Sequence, residues 1–99
     1  QEAGADVLYA PGVSTAEEIG TLVREVDRPV NVVMGLVRCD LTLADLDRLG
    51  VARVSVGSAL ARRAYGAVVE AAREMLEEGT FSFADAAIPF GEMEAAFAE

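Results

Sequence analysis

Three short apolar runs divide the chain, and each stops at a residue that breaks regular structure. Val7-Leu8-Tyr9-Ala10 stops at Pro11-Gly12, Val30-Asn31-Val32-Val33-Met34 at Gly35, and Val54-Ser55-Val56 at Gly57. The runs are rich in β-branched residues and lack strict alternation, which suits strands of a parallel sheet buried on both faces. Helical patterns lie between them. Ser14 or Thr15, followed by Glu17 or Glu18, predicts a capping box, and Ile19, Leu22, Val23 and Val26 then recur on one helical stripe. Thr42 and Asp45 repeat the box ahead of Leu43, Leu46 and Leu49, with Gly50 placed to end that helix in the left-handed conformation. A long helix is expected over 59–78, with Leu60, Ala64, Val68, Ala71 and Met75 on its apolar stripe and Gly79 as its stop. Pro89 can open a last helix carrying Phe90, Met93 and Phe97.

The order is βαβαβα, which implies parallel strands joined by right-handed crossovers. Its spacing is regular: Pro11, Val33 and Ser55 stand 22 residues apart (33 − 11 and 55 − 33). No G-x-G-x-x-G turn follows a strand, so a dinucleotide site has little support. Three parallel strands leave an unpaired edge and an open face that a barrel would close. We therefore expect an α/β chain that forms the last three βα units of a barrel over 1–79. A tail over 80–99, with a short helix, would pack on the barrel or on a neighbouring subunit. The first Met is Met34, inside an apolar run, so further sequence is expected upstream of Gln1.

Composition narrows the chemistry. The chain has a net charge of −9 with eight scattered Arg and no Lys, which argues against a nucleic-acid partner. No apolar run approaches the roughly 18 residues of a membrane span. A single Cys, Cys39, and no His exclude an internal disulfide and a Cys/His zinc site, and fit a cytoplasmic protein. Without His or Lys the usual general base and Schiff-base amine are missing, leaving carboxylates, Tyr and Ser.

Three stretches carry a resemblance: Ala3 to Tyr9, Arg28 to Val32, and Gly50-Val51-Ala52-Arg53-Val54-Ser55-Val56-Gly57-Ser58-Ala59-Leu60-Ala61. With Glu77 to Phe81 and Ala87 to Phe90, they resemble the closing segments of the isocitrate lyase and phosphoenolpyruvate mutase superfamily, in its phosphonomutase-like or methylisocitrate lyase-like branch. The resemblance implies the C-terminal portion of a (β/α)8 TIM barrel and a Mg²⁺-dependent lyase or mutase that acts on C–C or P–C bonds. It implies a small carboxylate or phosphonate substrate, such as an α-keto acid, and a homo-oligomer, typically a tetramer, at full length. The magnesium ligands would lie on earlier strands, outside these residues, so no catalytic or metal-ligating residue is expected here. The 99 residues alone are expected to be inactive. A non-catalytic oligomerisation piece and a fragment of another phosphate-binding barrel are the competing readings.

What the chain offers is a pocket wall at the C-terminal ends of its strands, where barrel enzymes keep their sites. The candidates are Pro11, Val33, Gly35, Ser55, Gly57 and Ser58, followed by Asn31, Arg38 and Asp40. By resemblance, Pro11 stands where relatives carry Glu or His, Val33 where the lyase branch carries Asn, and Ser55 where that branch is apolar. These departures count against isocitrate or methylisocitrate cleavage in its usual form. Asn31, the sole Asn, lies mid-strand on the same side as Val33, and a buried amide there needs a hydrogen-bond partner. Gly57-Ser58 opens the long helix, where backbone N–H groups can hold an anion or Gly57 can allow close packing. Tyr9 is expected in the core or facing a helix. Glu17, Glu18, Asp45 and Asp47 are expected at helix starts or on solvated faces.

Overall fold

Val30 to Val33 form the middle of the sheet in the structure, a computed structural model that describes residues 1–98. This central strand, β2 (Val30–Val33), is flanked by β1 (Leu8–Tyr9) and β3 (Arg53–Ser55), with both pairings parallel. Helix α1 (Ala16–Glu25) crosses from β1 to β2, and α2 (Leu43–Arg48) from β2 to β3. Leu8 pairs with Val30 and Asn31 with Arg53, so both steps are 22 residues (30 − 8 and 53 − 31), the interval read from the sequence.

Alternation along β2 separates two faces. Val30 and Val32 join Ile19 of α1 and Leu46 of α2 in a fully buried cluster, edged by Leu22, Val23, Val26, Leu49 and Val54. Each such side chain contributes about 1.5–3 kcal/mol by leaving water. Asn31 and Val33 occupy the opposite face and are buried there too, so the strand is covered on both sides. Of the three leucines at α2, Leu46 and Leu49 face the sheet, and Leu43 is 72% exposed. One expectation needs correction here. Tyr9 pairs with Asn31 and therefore stands in Asn31's row, on the face away from the helices, half-exposed.

Strand ends are shorter than the apolar runs. β1 keeps only Leu8 and Tyr9, since it has a hydrogen-bonding neighbour on one side alone among the described residues. β3 starts one residue early, at Arg53, which the register draws opposite Asn31.

Both capping boxes form. Thr15 Oγ1 accepts from the Glu18 N–H at 3.2 Å, while the Glu18 carboxylate accepts from the Ser14 and Thr15 N–H groups at 3.0 and 3.1 Å. In α2, Thr42 Oγ1 accepts from the Asp45 N–H at 3.2 Å, and the Asp45 carboxylate accepts from the Thr42 N–H at 2.7 Å. Asp45 also pairs with Arg48.

The chain divides into two compact units, Gln1–Ala61 and a second from Arg62 onward. The predicted helix over 59–78 is α3 (Ala59–Arg73), continued as a π-helical turn, Glu74–Glu78. The Gly79 N–H closes that turn on the Glu74 carbonyl, with Gly79 at φ +69°. A 3-10 segment, Ser82–Ala86, and α4 (Phe90–Phe97) follow, with Pro89 at the N-terminal boundary of α4 as expected. The Glu74 carboxylate accepts from Thr80 Oγ1 at 2.8 Å and from the Ser82 and Phe83 N–H groups. Phe81, Phe90 and Phe97 remain exposed. No helix among the described residues is long and apolar enough to cross a membrane.

Candidate functional site

The face of the sheet opposite the helices carries two rows of side chains. Tyr9, Asn31 and Arg53 are register neighbours and form one row; Val33 and Ser55 form the next, toward the strand ends. Asn31 Nδ2 donates to Ser55 Oγ at 3.0 Å, tying the first row to the second. The amide that the sequence required to be partnered is thus partnered through its nitrogen. Asn31 is 5% exposed, and its Oδ1 is buried without a hydrogen-bond partner.

Beyond the strand ends, loops converge. Gly35 follows β2 at φ +82°, and a Cβ built there would stand 2.8 Å from the Ala59 Cβ at the start of α3. The loop after β2 therefore presses on the first turn after β3, which only a residue without a side chain permits. Gly57 has φ +51°, and a Cβ there would meet Val33 Cγ2 at 3.7 Å, an ordinary contact. Its backbone conformation, rather than space, accounts for the glycine. Ser58 directly precedes α3, and Pro11 lies in the turn after β1, exposed.

Of the residues named from the sequence, the structure groups Asn31, Val33 and Ser55 on one face, with Gly35 and Gly57 in the loops above it. Arg38 and Asp40 do not join them. They face one another at 3.6 Å with side chains 90% and 87% exposed, a surface pair worth about 0–1 kcal/mol. A cavity of about 610 Å³ lies in the second unit, bounded by Arg63, Val68, Glu74 and Phe83 among others, and holds none of the predicted site residues.

Three carboxyls are held below the ordinary range, and each has a structural cause. Backbone N–H donation from Ser14, then Thr15, lowers Glu18; the Thr42 side chain, then its backbone, lowers Asp45; the Thr80 side chain, then Ser82, lowers Glu74. All three serve caps or the tail turn. Sequence reasoning missed the role of Glu74 and the Gly35–Ala59 contact. It also missed Ser55 as the partner of Asn31, although the 22-residue period held that signal: 55 − 31 is 24, one period plus the two-residue step that keeps a side chain on the same face.

The family described as phosphoenolpyruvate phosphomutase matches residues 1–76. The chain belongs to that family. A lyase/mutase-class protein of Burkholderia cenocepacia J2315, known from its crystal structure, is 55% identical with a TM-score of 0.88, covering 99% of this chain and 35% of that one. Uncharacterized protein Rv1998c of Mycobacterium tuberculosis (strain ATCC 25618 / H37Rv) is 35% identical over 94 residues, covering 95% of this chain and 34% of the relative. Oxaloacetate acetylhydrolase in complex with its product oxalate is 21% identical with a TM-score of 0.72 over 94% of this chain and 33% of that one, a likeness of fold. This member of the phosphoenolpyruvate phosphomutase family thus spans about a third of the length of the relatives it matches.

Magnesium, which the resemblance implies, can be tested against the side chains present. Mg²⁺ takes oxygen ligands, usually one or two carboxylates with several waters. The strand-end residues here are Pro11, Val33 and Ser55, with no carboxylate among them, and Asp40 faces Arg38. Among the described residues no group of three or more His, Cys, Asp or Glu could hold a metal ion. The strand ends of this chain do not fit a magnesium site.

Proposed function

We propose that these residues form the closing βαβαβα wall of a (β/α)8 barrel enzyme in this family and line its substrate pocket. The substrate class is a small carboxylate, an α-keto acid or enolate-forming acid, or a phosphonate. The observation that carries the reading is the polar step built into an otherwise apolar strand: Asn31 buried at 5% exposure and bonded to Ser55 on the face that a barrel would enclose. An amide–hydroxyl pair on that face, its amide buried and its hydroxyl half-buried, gives directional hydrogen bonding where an apolar wall would give only shape. The 55% identity with the Burkholderia lyase/mutase-class protein over 99% of this chain supports it.

In this reading the 99 residues bind and shape. Val33 supplies an apolar surface, Ser55 a hydroxyl, Gly35 lets the loop after β2 approach closely, and Gly57 supplies the left-handed turn after β3. Carboxylates holding Mg²⁺, and the groups that move protons, would come from outside these residues. Stabilising an enolate oxygen as charge develops is the chemistry such an ion supplies.

The test is to express in full the reading frame that contains this chain and assay oxaloacetate and phosphoenolpyruvate turnover with Mg²⁺. Turnover or saturable binding of either is expected, with Ser55→Leu lowering kcat/KM at least about tenfold by filling the wall. A stop codon immediately before Gln1, or a full-length protein indifferent to both acids, overturns it.

A second reading has its own observation. Phe81, Phe90 and Phe97 are 67%, 89% and 81% exposed, and so much aromatic surface suits burial in an oligomer. The 99-residue chain sedimenting as a folded oligomer would favour a non-catalytic assembly role, and aggregation would count against it.

A further inference from the structure

A serine hydroxyl has one proton and two lone pairs, so the partner that takes a lone pair also decides where the proton can go. Here Asn31 Nδ2 donates to Ser55 Oγ at 3.0 Å. With a lone pair so engaged, the Ser55 proton points away from Asn31, and no acceptor for it stands among the described hydrogen bonds. Ser55 is only partly buried and lies at the end of β3, in the row nearest the strand ends.

The direction of the amide matters equally, because a reversed Asn31 would present Oδ1 and pull the serine proton toward itself. The structure turns Nδ2, not Oδ1, to Ser55. Asn31's register neighbours on this face are Tyr9 and Arg53, both of which carry donors. Oδ1 is buried without a hydrogen-bond partner.

We propose that Asn31 is a positioning residue that directs the Ser55 hydroxyl proton into the pocket, making Ser55 a donor to an acceptor-only ligand oxygen: a carboxylate, enolate or phosphonate oxygen. The proposal deepens the pocket-wall reading and rests on it. It assigns discrimination to the pair: a ligand presenting an ionised oxygen at Ser55 gains a hydrogen bond, and one presenting an N–H there meets a second donor.

Asparagine-selective labelling of the full-length protein, with the signal lost in Asn31→Asp, identifies the Asn31 side-chain amide by NMR. One Nδ2 proton of Asn31 is expected to exchange slowly with solvent, and Ser55→Ala is expected to speed that exchange at least about tenfold. In the full-length protein, oxalate is the probe, a dianion with acceptors only. Ser55→Ala and Asn31→Asp are each expected to weaken oxalate binding about tenfold, and Ser55→Thr to restore it. Asn31→Asp keeps the shape but removes the donor, so its carboxylate recaptures the serine proton. Direct charge repulsion of oxalate by the new Asp would persist in a Ser55→Ala background, whereas loss acting through the hydroxyl would not. The double variant is therefore expected to bind no more weakly than the Asn31→Asp single variant.

Additive losses overturn the positioning role, as does an Asn31 amide that ignores Ser55→Ala. Wild-type protein that shows the amide signature yet binds no oxalate overturns the pocket reading and donation to the ligand with it, while leaving the amide's orientation intact. The two failures are thus distinguishable.

Discussion

Replacing Gly35 by Ala asks two things of the structure at once, and Gly50 offers a control that asks only one. Both glycines have φ +82°. A side chain in the left-handed region costs about 1–2 kcal/mol at either position. The neighbours differ: a Cβ at Gly35 would stand 2.8 Å from the Ala59 Cβ, which is fixed to the backbone of α3, while at Gly50 it would meet the Val23 Cγ1 at 3.2 Å, the end of a side chain that can give. Overpacking against an unyielding neighbour adds about 1–3 kcal/mol. Gly35→Ala is therefore expected to lose about 2–5 kcal/mol and Gly50→Ala about 1–2 kcal/mol. The gain from a less flexible unfolded chain applies to both and cancels in the difference. Ala59→Gly, which costs less than about 1 kcal/mol at a helix start, should recover the steric part when combined with Gly35→Ala. Urea unfolding followed by circular dichroism measures all four proteins. A difference between the two single variants below about 0.5 kcal/mol, or no recovery in the double variant, would refute the contact between the loop after β2 and α3.

Leu46→Ala should cost about 2–5 kcal/mol in urea unfolding, since Leu46 is 1% exposed in the four-residue core; a loss under about 1 kcal/mol would mean that α2 is not packed as described. Thr42→Ala removes the cap of α2 and should cost about 1 kcal/mol by the same measurement, with Thr42→Ser retaining most of it. The pH dependence follows from Glu18, Asp45 and Glu74, whose folded values lie below the ordinary 4.5, 3.8 and 4.5. A depressed carboxyl contributes stability above its unfolded pKa and loses it as pH falls through the folded value. Unfolding midpoints should therefore hold level through these carboxyls' contribution down to about pH 5 and then decline, with Glu18→Gln and Glu74→Gln flattening the decline.

The helices and their order were legible because local chemistry decides them. Thr15 with Glu18, and Thr42 with Asp45, announce helix starts that formed as complete capping boxes. The 22-residue interval was legible as well, and it carried the parallel register. Tyr9 was misread because an apolar run buried on both faces gives no sign of which face each residue takes until pairing with Asn31 fixes it. The Glu74 turn was hidden for another reason: one carboxylate gathers donors from Thr80, Ser82 and Phe83, and no spacing rule flags a side chain that organises the segment after its own helix. At the site, Asn31's need for a partner could be argued from burial alone, whereas the identity of that partner depended on β3 beginning at Arg53.

The equal steps between strands also bear on how such a chain can vary in length. One residue inserted within β2 or β3 would exchange the two faces of that strand, turning a core valine toward the opposite face and Asn31 or Ser55 toward α1 and α2. An insertion after Gly35 or before Thr42 leaves each strand's alternation intact. Length changes compatible with the fold are thereby directed to the loops beyond the strand ends, so that variation can reshape the rim of the site while the paired rows beneath it stay in step.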